Sequence, residues 1–121
     1  MPYELNANLD KEYVHLIYSG EMHLAERQAA KDAVISMCFE QNLHRALVDL
    51  RESDIKMNSS DILKFASSFK NTPLPNDYRL GVIIGPDNQT EELIEIIISL
   101  DGVNVKYFFN FTETESWLTA I

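Results

Sequence analysis

Residues 46–69, ALVDLRESDIKMNSSDILKFASSF, place a β-rich run directly before an amphipathic segment. The run 46–50 predicts a buried strand. Asn58 can then cap a helix, with Asp61 at its third position, where a carboxylate meets free N–H groups and the positive end of the helix dipole. The apolar residues that follow complete one helical face, namely Ile62, Phe65, Ala66 and Phe69. This stretch therefore predicts a strand followed by a helix.

The same order of strand and helix recurs along the chain. Further β-rich runs lie at 13–18, 80–84 and 103–109. Residues 3–9 predict a first strand or an extended arm. Helices are predicted at about 22–41, at 91–100 and at the C-terminal end, where Trp117 and Leu118 should anchor the last helix. This alternation is typical of a wound α/β sheet, and we expect residues 1–121 to form a single domain.

The segment 91–100, EELIEIIISL, is ambiguous because isoleucine favours strands. An acidic first turn, a capping pair of Asn88 with Glu91 and a stop at Gly102 favour a helix. Its apolar face would comprise Leu93, Ile96, Ile97 and Leu100. We therefore expect a helix whose solvated face carries the glutamates at 91, 92 and 95.

Composition limits the classes of partner. Hydrophobic residues make up 45% of the 121 residues, which predicts a folded core. The net charge is −9, with 6 basic and 10 acidic side chains in residues 1–60 and 4 and 9 in residues 61–121. Such an evenly acidic field repels phosphate backbones, so nucleic acid is a poor candidate partner. No apolar run is long enough to span a membrane, and we expect no signal peptide. The single cysteine, Cys38, fits a reducing compartment, and we expect a cytoplasmic protein.

Candidate catalytic and metal-binding residues are few. His15, His23 and His44 each lack a second ligand at metal-site spacing, and no glycine-rich phosphate loop is present. Cys38 lies on an apolar helical face, as core residues do. We therefore expect no catalytic residue, no metal and no cofactor, and a protein that is not an enzyme. An enzyme that uses Asp49 and a histidine is an alternative without a supporting motif.

Asp49 is the polar residue whose position indicates a binding site. It lies at the C-terminal end of a predicted central strand, where wound sheets place their binding crevices. The alternative is that its carboxylate only accepts local backbone hydrogen bonds.

Three groups of residues carry a resemblance to a known family. They are Val48-Asp49-Leu50-Arg51 at the end of a strand, Gly85-Pro86-Asp87 after another, and the C-terminal pattern Phe108, Asn110, Glu113, Trp117 and Leu118. Together they resemble the SpoIIAA-like proteins of the STAS superfamily, with departures at Asn110, often Asp there, and Thr114, often Ala. The resemblance implies a four- or five-stranded, mixed, mostly parallel sheet with about four helices wound around it. CRAL-TRIO lipid-transfer domains share this architecture.

The resemblance also implies a regulatory switch. Anti-sigma factor antagonists of this superfamily carry an acid-Ser-Ser-Gly motif at the start of the helix after the central strand, and a kinase phosphorylates its first serine. The corresponding stretch is Asn58-Ser59-Ser60-Asp61, where Asn replaces the acid and Asp the glycine. Ser59 and Ser60 are therefore candidate phosphoacceptors, although capping alone also explains serines at a helix start. A phosphate on Ser59 should repel an acidic partner without unfolding the domain.

These observations predict a non-enzymatic regulatory or protein-interaction module of the kind found in bacterial signalling. Its protein partner would bind near the start of the helix 58–69. The alternative is a carrier or sensor of a small apolar, lipid-like ligand, held between helices rich in Phe39, Phe65 and Phe69. Phe39, with Ile35, is expected to be buried, and an exposed interaction face is the alternative. A homodimer is a further alternative.

Overall fold

The structure is a computed structural model that describes residues 3–86 and 91–120. Within these residues, five strands form one sheet whose spatial order follows the chain. The strands are β1 (Tyr3–Asn8), β2 (Tyr13–Met22), β3 (Arg45–Ile55), β4 (Arg79–Ile83) and β5 (Asn104–Phe108). β1 runs antiparallel to β2, whereas all other neighbours are parallel. The predicted α/β class with a mixed, mostly parallel sheet is confirmed, and the first segment is a strand.

Four α-helices are present in the described residues. They are α1 (Leu24–Gln41), α2 (Ser59–Ser67), α3 (Glu91–Leu100) and α4 (Phe111–Thr119), and a short 3-10 helix (Ser68–Asn71) follows α2. The predicted cap of α2 is confirmed, since Asn58 Oδ1 accepts a hydrogen bond of 2.9 Å from the Asp61 N–H. Asn110 caps α4 in the same way. The predicted cap Asn88 lies outside the described residues, and none of the described helices is long and apolar enough to cross a membrane.

The two faces of the sheet carry different helices. α1, α2 and α3 cover one face and form a continuous core with alternate residues of the strands. α4 covers the other face, where Leu118 packs against Tyr13, Leu47 and Ile83. Successive strand side chains point to opposite faces, so Leu47 contacts α4 while its neighbour Ala46 faces the other three helices.

Gly81 lets α4 lie directly on β4. A Cβ atom at this position would lie 2.7 Å from Thr114 Cγ2 and 3.4 Å from Leu118 Cγ. The first distance is far shorter than the contact distance of two carbon atoms. The absence of a side chain at Gly81 therefore sets how closely the last helix approaches the sheet.

The orientation of α3 differs from the prediction. Glu91 is fully buried, together with Ile94 and Ile98. Leu93, Ile96 and Leu100, which belong to the predicted apolar face, are 45%, 54% and 81% exposed. The prediction that Glu91 is solvated is therefore wrong, whereas Glu92 is exposed as expected. Phe39 of α1, which was expected to be buried, is also exposed.

Candidate functional site

The sequence predicted that Asp49 lies at the C-terminal end of its strand. In the structure it lies within β3. β3 continues to Ile55, although its pairing with β4 ends at the Asp49–Ile83 pair. The carboxylate binds Arg51 twice: Oδ1 accepts from Nε at 3.0 Å and Oδ2 accepts from Nη2 at 2.7 Å. Oδ1 also accepts from the Arg51 backbone N–H at 3.1 Å. These contacts match the local-acceptor interpretation, and a binding role for Asp49 stays a prediction.

His15 lies on the same face of the sheet as Asp49. Burial alone would raise the pKa of Asp49, but the hydrogen bonds from Arg51 lower it below its ordinary value. Desolvation lowers the pKa of His15, against the opposing charges of Asp49 and Glu115. No hydrogen bond joins His15 to Asp49 among the described residues, and His15 Nε2 is buried there without a partner. The two groups therefore do not form an acid–base pair in contact.

The other sequence candidates lie apart from one another. His23 precedes α1, and His44 Nδ1 lies 2.8 Å from Asp77 Oδ1 at the surface. Cys38 is buried in α1, and burial raises the pKa of its thiol to about 11, which keeps it protonated at neutral pH. Across residues 3–86 and 91–120, no three His, Cys, Asp or Glu side chains are grouped to hold a metal ion. The absence of a metal and of a cofactor stays a prediction.

A buried ion pair joins α1 to α3. Arg27 Nη2 donates to Glu91 Oε1 at 2.7 Å, and Nη1 donates to Oε2 at 3.1 Å. The Tyr107 hydroxyl, on β5, also donates to Glu91 Oε1 at 3.1 Å. Burial would lower the pKa of Arg27, but the charge of Glu91 raises it, so the guanidinium stays charged. Sequence patterns missed this pair because its members are separated by two strands and a helix.

A small cavity adjoins the ion pair between the sheet and α1, α2 and α3. Its lining is mostly apolar and includes Phe65 and Phe69, as predicted for a ligand site, but not Phe39. Its volume is about 40 Å³. That is room for a water molecule or two, whereas a cavity of about 150 Å³ is needed to hold benzene. A lipid-sized ligand would therefore require the three helices to move.

Ser59 and Ser60 open α2 and are both exposed. The capping box beside them is reciprocal, because Asp61 Oδ2 accepts from the Asn58 N–H at 3.2 Å. Both serines are accessible, as a phosphoacceptor must be. Their modification stays a prediction.

Exposed apolar side chains on α2 and α3 form a further candidate site. Leu63 of α2 is 51% exposed, comparable with the exposed residues of α3. On α3, Glu95 Oε2 accepts from the Tyr107 N–H, so this side of the helix faces β5. Leu93 lies about 160° around the helix from Glu95, on the side towards α2.

Leu63 lies on the side of α2 that faces α3. Lys31 of α1 donates to Ser68 Oγ at 2.8 Å, so the Ser68 side faces α1. Leu63 lies about 140° around the helix from Ser68, and α2 packs directly against α3. We call Leu63, Leu93, Ile96 and Leu100 the α2–α3 patch. Ser59 lies one helical turn before Leu63, at the margin of this patch.

The α3 margin of the α2–α3 patch is acidic. Glu92 is exposed one turn before Ile96, and Asp101 is exposed directly after α3. α3 contains no basic residue, and its C-terminal carbonyl groups add a partial negative charge. On the α2 side, the exposed Lys64 adjoins Leu63, and Lys70 shares a shallow groove with Asp101. The patch is therefore an apolar surface whose margin is acidic on the α3 side and basic on the α2 side.

A solved structure identifies the architecture. It is that of an uncharacterized protein from the DUF3478 family of Shewanella loihica PV-4, which is described as having a SpoIIAA-like fold. The two structures match with a TM-score of 0.58 over 96% of this chain and 91% of that one. The fold is SpoIIAA-like. The sequence identity is 17%, so the match shows the SpoIIAA-like fold and no function.

The sequence matches no protein-family model and no curated protein. The resemblance to SpoIIAA-like proteins is nevertheless confirmed as to fold, since the five-stranded sheet and four helices of the described residues agree with it. The sequence indicates that some apolar surface of α3 stays exposed, but not which side of the helix carries it. The segment 91–100 has apolar residues on more than one side, which one buried helical face does not require.

Proposed function

We propose that this SpoIIAA-like chain acts as a single-domain, non-enzymatic regulatory module that binds another protein through the α2–α3 patch. The observation that carries the proposal is the exposure of Leu93, Ile96 and Leu100 on a helix that already buries a second apolar face. A helix that is apolar all round is ordinarily buried. The largest exposed apolar patch on a monomer is often functional, and a bound protein would cover this one.

We further propose that this regulatory module acts in signalling in the bacterial cytoplasm. The SpoIIAA-like fold supports this role, as does the position of the exposed Ser59 at the margin of the patch. The free, buried Cys38 is compatible with a reducing compartment.

Ile96→Asp should abolish partner binding without unfolding the protein. The side chain of Ile96 is 54% exposed and central to the α2–α3 patch, so a charge there prevents apolar contact at little cost to stability. The measurement is a quantitative pull-down from the native cell extract, with the thermal midpoint recorded for each variant. Leu9→Asp is the matched control, because Leu9 is 64% exposed but lies in the connection between β1 and β2.

Proteins that the parent and Leu9→Asp retain and Ile96→Asp loses would support the proposal. Equal retention by the parent and both variants, with equal thermal midpoints, would show that the α2–α3 patch is not the binding surface.

Ser59→Glu should leave the thermal midpoint within about 2 °C of the parent. Ser59 is exposed in the first turn of α2, where the helix dipole favours a negative charge. Ser36→Glu is the control, because it adds the same charge at an exposed position of α1, in the interior of that helix. A loss of more than about 1 kcal/mol for Ser59→Glu alone would count against a phosphoacceptor role.

The carrier or sensor of a small apolar ligand is a second candidate function. The cavity lined by Phe65 and Phe69 favours it, and the cavity volume of about 40 Å³ limits the ligand to a few atoms unless the helices separate. Native mass spectrometry distinguishes the two functions. A bound small molecule that survives Ile96→Asp would favour the carrier.

A further inference from the structure

The α2–α3 patch has the shape of a binding surface for one helix. Leu93, Ile96 and Leu100 recur along α3 at i, i+3 and i+7, and Leu63 is the exposed apolar residue on α2. A row of apolar side chains beside an apolar residue of the neighbouring helix is a surface onto which an amphipathic helix can lay its apolar face.

The extent of the patch favours a helix over a second copy of the chain. Its four side chains expose on the order of 400 Å², whereas each partner in a stable protein–protein interface contributes about 800 Å². A single docked helix needs less surface, because its apolar face is one row of side chains.

The charges around the patch also disfavour a second copy. Glu92 and Asp101 lie at the two ends of the apolar row on α3, and α3 has no basic residue with which to meet them in a second α3. Lys64 lies on the α2 side of the patch. Two copies would also bring together two chains that each carry a net charge of −9. Like charges brought together at an interface oppose association, whereas opposite charges favour it.

We propose that the α2–α3 patch binds one amphipathic helix of another protein, and that basic residues lie on the side of that helix that meets α3. This inference rests on the proposed function and adds the chemistry of the partner. The apolar row of the partner covers Leu93, Ile96 and Leu100, and its basic residues meet Glu92 and Asp101. A phosphate on Ser59 would then strengthen binding, the opposite of the effect expected for an acidic partner.

Two synthetic peptides of about 18 residues test the inference, since this length supports a helix once bound. Both carry the same leucine row, flanked on one side by lysine in the first peptide and by glutamine in the second. Fluorescence anisotropy measures the Kd of each. We expect the lysine peptide to bind about tenfold more tightly at low salt, and the difference to shrink at about 1 M salt.

Two sets of variants separate the patch from the overall charge. Ile96→Ser should weaken both peptides by about tenfold, because it removes apolar contact. Glu92→Gln with Asp101→Asn should reduce the preference for lysine and leave the Kd of the glutamine peptide unchanged. Asp10→Asn with Glu40→Gln makes the same change in net charge at exposed positions of the β1–β2 connection and of α1. It should preserve the preference for lysine.

Three results would overturn the inference. Equal binding of the two peptides, still sensitive to Ile96→Ser, would refute the basic flank and leave the interaction function standing. Binding of neither peptide, with pull-downs that are also insensitive to Ile96→Asp, would refute the inference and the proposed function together. A parent protein that sediments as a dimer, and becomes a monomer with Ile96→Ser, would make a second copy the occupant.

Discussion

Glu91→Leu should lower the free energy of unfolding by about 3–5 kcal/mol, because it leaves the Arg27 guanidinium buried without its counter-ion. Both side chains are almost inaccessible, and two hydrogen bonds of 2.7 and 3.1 Å join them. For a chain of 121 residues, this loss corresponds to a fall of roughly 10–20 °C in the thermal midpoint. Denaturant titration and thermal melting measure both quantities.

Glu92→Leu is the matched control, because Glu92 is exposed on the same turn of α3. It should change stability by less than about 0.5 kcal/mol. Combining Arg27→Met with Glu91→Leu should recover most of the loss, since an apolar pair can replace a buried ion pair at little cost. If the thermal midpoint of Glu91→Leu equals that of the parent, the ion pair does not fix α3 to the core.

Leu118→Ala should cost about 2–5 kcal/mol, because it opens a cavity where α4 meets the sheet. Leu118 is fully buried and packs against Tyr13, Leu47 and Ile83. Chemical denaturation measures this loss, and we expect a lower midpoint concentration with an unchanged m-value. The control is Ser116→Ala, an exposed neighbour on the same helix, for which little change is expected.

The contrast with Trp117 refines the prediction that the two residues anchor the last helix together. Trp117 is only partly buried, with its ring 5.9 Å from that of Phe108. Leu118 lies deeper and next to Gly81. A melting temperature for Leu118→Ala close to that of the parent would show that α4 is not docked through this residue.

The buried face of α2 was predictable because its sequence contains a single apolar face. Ile62, Phe65 and Ala66 of α2 and Phe69 of the following 3-10 helix are regularly spaced apolar residues, and all four are buried as predicted. The cap Asn58 was equally clear, since its side chain and Asp61 satisfy each other locally. Where the physical cause lies within a few residues of the chain, the pattern is sufficient.

The orientation of α3 was not predictable in this way. Its sequence allows two apolar faces, and the choice between them depends on Arg27, which lies 64 residues earlier in the chain. Burying Leu93 and Leu100 instead would turn Glu91 away and leave Arg27 unpaired in the core. The exposed apolar surface is therefore a consequence of a distant charge, which no local periodicity reports.

Asp49 shows a similar limit. The apolar run ends at Leu50, so the strand was expected to end there, yet β3 continues through polar residues to Ile55. The continuation exists because β2 extends beside it, pairing Met22 with Ile55. Strand ends are set by the neighbouring strand as much as by their own sequence.

The agreement between strand order and chain order has a consequence for synthesis on the ribosome. Each strand can join the edge of the sheet formed just before it, so the sheet can grow in one direction as the chain emerges. In the order of the chain, the helices that cover the first face lie between the strands, whereas α4 follows all five strands. Until residues 111–119 emerge, Leu47 and Ile83 remain open to water on the second face. The second face of the sheet is therefore covered only after α4 has been made.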